Sequence, residues 1–271
     1  MVKRVARTVR KYSKLYLLFV KNCILAEMEY RANFWMGIGV ECSWLISKLL
    51  YALVFFQSGI DIYGFSPDAM LVFIGMHTVM TGILISFFWP NFGRMTEYVR
   101  TGTLDVLITK PVSLQFIVTL RHFSFGTLIP NVIGGLVMIA TGLIRLRLDI
   151  GWREISAFAI FVALSTAISY GLFLLPNLLT FKVVEMGPIN MMMSQMQEMN
   201  NVPMIVYSKW LQFAGIYLFP LFAISNIFPL FVLQQADPGM LAAAFLSPVV
   251  LLLAIRWLWG RAIQSYASAS S

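Results

Sequence analysis

Six stretches of about 20 mostly apolar residues punctuate this chain, each long enough to cross the hydrocarbon core of a bilayer as a helix. They fall at 34–57, 69–89, 123–143, 155–181, 210–233 and 240–260. In lipid every backbone N–H and C=O must find a partner inside the protein, which leaves helices or closed barrels. None of the runs alternates apolar and polar residues as a lipid-facing barrel strand would. The expected fold is therefore an all-α, polytopic membrane protein forming one unit over 1–271. Composition agrees: with 59% hydrophobic and 12% charged residues, the chain has too little charge to cover a soluble surface. The net charge of +8 does not point to nucleic acid, because the basic residues border apolar runs, where they face anionic lipid headgroups. No short apolar core with a small-residue cleavage site follows the first basic residues, so a cleaved leader is not expected.

Lysine and arginine placement sets the expected orientation. With the N-terminus inside, 15 of the 20 lie in inner segments: eight before the first run, four in 91–122, two in 181–210, and Arg261. Three, Arg145, Arg147 and Arg153, lie in an outer segment and dissent. Both termini are expected in the cytoplasm. Residues 1–33 alternate basic side chains with Tyr12, Leu15, Tyr16 and Phe19, the pattern of a helix lying in the inner interface or of a topology signal alone. The fifth run carries Pro220, Asn226 and Pro229. It is read as stopping near Ala223 with a re-entrant outer piece over 225–238, or as a kinked helix.

No catalytic set stands out. The chain lacks G-x-x-x-x-G-K-[ST], H-E-x-x-H and G-x-S-x-G, so neither ATP hydrolysis by a P-loop nor another enzyme activity is expected, and no metal or cofactor site. Cys23 and Cys42 have no metal-ligand spacing and no expected disulfide, and His77 and His122 no ligand partners nearby. The run MMMSQMQEM at 191–199 falls in an expected inner loop, where methionines suit a contact surface better than Cu(I). Glu41 and Lys48 sit seven residues apart in the first run, nearly two turns, so both point to one face. Intramembrane charges are costly and usually face a cavity or a partner. With His77 and Asn131 they are the expected polar residues of a substrate path.

One charged, turn-rich segment interrupts the apolar pattern at 91–113. Gly102 and Pro111 fence off TLDVLITK, at most two helical turns, in which Leu104, Leu107 and Ile108 share a face with Asp105 elsewhere. So short a helix is not stable alone and needs a partner surface, membrane or protein.

The order Arg100-x-Gly102-x-Leu104-Asp105-x-Leu107-x-x-Lys110-Pro111-Val112-Ser113, after two spans, resembles the ABC-2-type permeases of bacterial ABC exporters, the drug and viologen branch among them. RWLWGRAIQSYASAS (Arg256–Ser270) looks like that family's ending, and NVPMIVYSKWLQF (Asn201–Phe213) like the approach to its proline-bearing fifth span. The chain ends in Ser271, where the family often has a glycine. The resemblance implies the transmembrane subunit of an ATP-driven exporter in a bacterial inner membrane. It implies a dimer with an identical or paralogous permease and two copies of a P-loop ATPase subunit, which would hold the ATP and Mg. The inner loop would be a coupling helix seated in an ATPase groove, carried by Glu97, Arg100, Gly102, Leu104, Asp105, Leu107, Lys110 and Pro111. A hydrophobic or cationic drug-like substrate is the expected cargo; lipid, glycan or peptide is the alternative. An ATP-independent carrier would show paired broken spans, and a membrane enzyme clustered acidic or histidine residues.

Overall fold

The computed structural model describes residues 2–58, 65–148, 150–183 and 186–266, and is helical nearly throughout. Helix α1 (Val2–Glu29) runs along one end of the molecule, here the proximal end. A turn at Tyr30 leads into α2 (Arg31–Ser58), which climbs to the distal end. Helix α3 (Pro67–Ile83) begins there, its first turn capped by the Ser66 hydroxyl accepting from the Ala69 N–H. It returns through a π turn (Leu84–Phe88) into α4 (Trp89–Arg100). Pro90 explains the π turn. It has no N–H to give the Ser86 carbonyl, and the Ser124 N–H donates to that oxygen instead, at 3.2 Å. The start of the next long helix is thereby tied to the middle of this one.

Short helices α5 (Thr103–Ile108) and α6 (Leu114–Leu120) lie at the proximal end. Helix α7 (Phe125–Arg145) climbs and α8 (Trp152–Asn177) descends, its last turn tightening to 3₁₀ over Leu178–Phe181. Helix α12 (Pro238–Gln264) runs parallel to α8: Phe161 meets Phe245, and Phe181 meets Trp259. Among the described residues, five helical stretches are long and apolar enough to cross a membrane: Arg31–Val54, Pro67–Arg100, Phe125–Arg145, Trp152–Phe181 and Pro238–Gln264.

The tightest seam joins α3 to α7. A Cβ placed on Gly75 would lie 2.7 Å from the Gly135 carbonyl oxygen, and one on Gly142 would lie 2.6 Å from Val72. Only hydrogen at these positions lets the two backbones touch, the usual way membrane helices pack closely.

The fifth apolar run is not one helix, which corrects the expected span over 210–233. It divides into α10 (Lys209–Phe213) with a π turn over Ala214–Leu218, an irregular stretch, and α11 (Ile227–Val232). Pro220 and Pro229 cannot donate to a helical ladder, and residues 220–230 are all buried, so protein rather than lipid surrounds the broken backbone. Asn226 pins it: its side chain accepts from the Met204 N–H at 2.8 Å and donates to the Phe222 carbonyl at 3.0 Å. Asn226→Leu leaves that buried N–H unpaired; the expected cost is about 1–3 kcal/mol, read as a lower thermal midpoint in detergent.

The traverse expected there is made instead by the more polar stretch before it. Helix α9 (Gly187–Glu198) leaves the proximal end, where Met193 meets Asn177. Gln197 then reaches Thr81, in the middle of the α3–α4 rod, at 3.3 Å, and Asn200 donates to the Leu221 carbonyl at 3.1 Å. Beyond it Phe228 packs on Phe158 near the distal start of α8. The run 191–199 is thus no loop outside the bundle, as its polarity suggested, but rises beside α3, and Lys209 lies beyond it in the distal half.

Candidate functional site

Two places gather the candidate residues. The first is the proximal segment 97–113. Gly102 holds a left-handed φ of +69°, a conformation that suits glycine, and so starts α5 at a sharp angle to α4. Leu104 is 1% exposed and Leu107 6% exposed, both in the chain's own core. This corrects their expected role: α5 is seated on α4 and α6, and needs no partner to bury these leucines. The outward side carries Val106, 58% exposed, and Ile108, 45% exposed, beside exposed Lys110 and Pro111. Sequence spacing missed Val106 because it lies off the leucine face, and placed Ile108 on the wrong side. Glu97 and Arg100 are exposed on α4, and Asp105 is half-buried.

Helix α1 braces this segment. Lys11 Nζ donates to the Pro111 carbonyl at 2.7 Å, and the Ser113 N–H donates to the Tyr12 hydroxyl at 3.0 Å. Farther along, the Phe125 N–H at the start of α7 donates to the Glu27 carboxylate at 2.9 Å. Between α6 and α7, Asn91 grips the His122 backbone through both its N–H (2.8 Å) and its carbonyl (2.8 Å). The His122 ring lies 2.9 Å from the Tyr98 hydroxyl and 3.4 Å from the Arg94 guanidinium.

Burial first, and the Arg94 and Arg121 guanidiniums second, push the His122 imidazole down to about 4. The folded state therefore keeps it neutral. Its contribution is complete above the unfolded value of about 6.5 and is lost as pH falls through the folded value of about 4. The thermal midpoint in detergent is expected to fall between pH 6.5 and 4 more steeply in the native chain than in His122→Gln.

The second place is a cavity of about 560 Å³ between α2, α3, α7 and residues 197–202. Glu41, Lys48, His77 and Asn131 all line it, so the structure brings the four substrate-path candidates together. Thr81, Gln197, Glu198 and Asn201 complete the polar wall, with Trp44, Tyr51, Ile74 and Ile85. Sequence reasoning missed Gln197, Glu198 and Asn201 because it set them outside the bundle. Asn131 is 2% exposed and donates to Glu41 Oε2 at 2.7 Å and to the Thr127 carbonyl at 2.9 Å. Lys48 Nζ donates to Thr78 Oγ1 at 3.3 Å. Lys48 thus points sideways to α3 instead of running along its own helix toward water.

Among the described residues no group of three His, Cys, Asp or Glu side chains could hold a metal ion, and both cysteines are free thiols. Two of the three dissenting arginines have partners at the distal end. Arg145 Nε pairs with Asp68 at 2.6 Å and lies over the Phe56 ring; Arg153 lies over Phe231.

No curated protein and no solved structure matches this chain. A family description does: that of the ABC-2 family transporter protein matches residues 42–270. That family implies partnership with an ABC ATPase subunit. Membrane-length helices, a proximal short helix seated on the bundle and a match over most of the sequence agree, and the chain belongs to the ABC-2 family as a multi-pass transmembrane subunit of an ABC transporter.

Proposed function

We propose that the chain is the permease of an ATP-driven exporter in a bacterial inner membrane, moving a hydrophobic or cationic drug-like substrate out of the cytoplasm. The supporting observation is α5. It is a short helix held rigidly on the proximal end, with an exposed apolar pair, Val106 and Ile108, turned away from the protein. A motion imposed on that pair reaches α3 through α4, and reaches α7 through α6, the Asn91–His122 clamp and the Ser124–Ser86 bond. The segment around it would rest in a groove of the ATPase, with Glu97, Arg100 and Lys110 as its charged rim.

The proximal end is assigned to the cytoplasm, with both termini. It keeps most of the lysines and arginines even with Lys209 moved to the distal half, as the positive-inside rule requires. ATP and Mg belong to the partner, in two copies, and this chain catalyses no reaction. A second permease, identical or paralogous, would face the side of α2 that exposes Trp35 and Leu50.

Gentle solubilisation of native membranes through a tag on this chain, followed by mass spectrometry, tests the reading. A co-purifying P-loop ATPase is the expected result; its absence after mild cross-linking would overturn the proposal.

A further inference from the structure

The cavity wall holds one buried acceptor with no donor of its own. Both N–H bonds of Asn131 are used, on Glu41 and Thr127, and Asn201 Nδ2 donates to Glu198 Oε2 at 2.6 Å. Gln197 Nε2 donates to Thr81 Oγ1 at 3.3 Å, and the Thr81 hydroxyl can pass its proton on to His77 Nε2, also at 3.3 Å. In that direction every bond of the chain is made. Gln197 Oε1 is buried with no hydrogen-bond partner, and it belongs to the same cavity wall as the Glu41 carboxylate, which uses one oxygen on Asn131. A buried carbonyl oxygen without a partner is rare in a native protein and asks for a donor. The lining charges are two carboxylates, Glu41 and Glu198, against one ammonium, Lys48, which stands about 10 Å from Glu41 along α2.

We infer that this cavity binds a protonated primary amine carrying a compact apolar group. The ammonium donates to Glu41 and to Gln197 Oε1, and the apolar part lies against Trp44, Ile74 and Ile85. A quaternary ammonium of equal charge has no N–H and leaves Gln197 Oε1 unsatisfied, so the site selects by hydrogen bonding as well as by charge. The inference deepens the transport reading by naming a substrate class, and rests on it only for the amine being cargo. A free amine and an ethanolamine lipid headgroup present the same chemistry, and Trp44, 62% exposed, marks the side of α2 from which either would enter.

The test uses the full chain in phosphatidylcholine nanodiscs, titrated calorimetrically at pH 7 with 2-phenylethylammonium and with its N,N,N-trimethyl counterpart. The primary amine is expected to bind at least about tenfold tighter, one hydrogen bond to a charged group being ample for that ratio. Glu41→Gln should weaken the amine by a similar factor. Gln197→Leu should remove most of the preference between the two cations, and Gln197→Glu, which keeps an acceptor, should preserve it. In phosphatidylethanolamine discs, loss of amine binding identifies the lipid headgroup as the competing source, and retained binding identifies a free amine. Equal affinity for the two cations in the native chain, binding of neither, or a preference that survives Gln197→Leu overturns the inference. No ATPase is present in this experiment, so its failure and that of the transport reading are separate results.

Discussion

Val106→Asp combined with Ile108→Asp is expected to weaken ATPase co-purification by at least about 100-fold while leaving the permease inserted and folded. The two side chains are exposed, so charging them adds no buried charge to the free subunit. In a complex they would be desolvated. Burying one aliphatic side chain contributes roughly 1.5–3 kcal/mol, so losing two at a docked surface exceeds the 2.8 kcal/mol or so that a hundredfold requires. Leu104→Asp is the contrasting variant. Leu104 is 1% exposed, so its charge would be buried in the core between α4, α5 and α6 and destabilise the subunit itself. Co-purification and thermal midpoint together separate the two. If the double aspartate variant still retains the ATPase, α5 is not the docking element.

Gly135→Leu should produce the largest loss of stability of any single change on the α3–α7 seam. A Cβ at Gly135 would stand 2.6 Å from a Val79 methyl and 2.7 Å from the Gly75 carbonyl oxygen, and the second contact is backbone that cannot rotate away. Over-packing a tight core costs about 1–3 kcal/mol and more where backbones must separate. Separation here would also pull Asn131, one turn earlier on α7, away from Glu41. The expected result is a thermal midpoint several degrees lower and, in the same preparation, weaker amine binding. Gly37→Leu on α2 is the control, since nothing lies within 4 Å of a Cβ there. A Gly135→Leu chain as stable as the control would show that the two helices do not meet as closely as described.

Length and hydropathy determined the all-α membrane fold, five of the six spans and the polar candidates Glu41, Lys48, His77 and Asn131, because lipid solvent imposes long apolar helices on any chain that crosses it. Local spacing also determined that a short helix stands between Gly102 and Pro111. Tertiary structure decided the rest. Whether Leu104 and Leu107 face a partner or their own core depends on where α4 and α6 pass, which no helical period encodes. The same holds for the fifth traverse. Residues 187–206 are polar enough to read as a loop and 210–233 apolar enough to read as a span, yet the polar stretch climbs through the bundle and the apolar one breaks. A polar stretch is tolerated there because Thr81 and Leu221, on neighbouring elements, accept from the side-chain amides of Gln197 and Asn200. The prolines of the apolar stretch remove the donors a continuous helix would need. Hydropathy measures a segment against lipid; the amides of Gln197 and Asn200 and the broken backbone over 220–230 are solvated by protein instead.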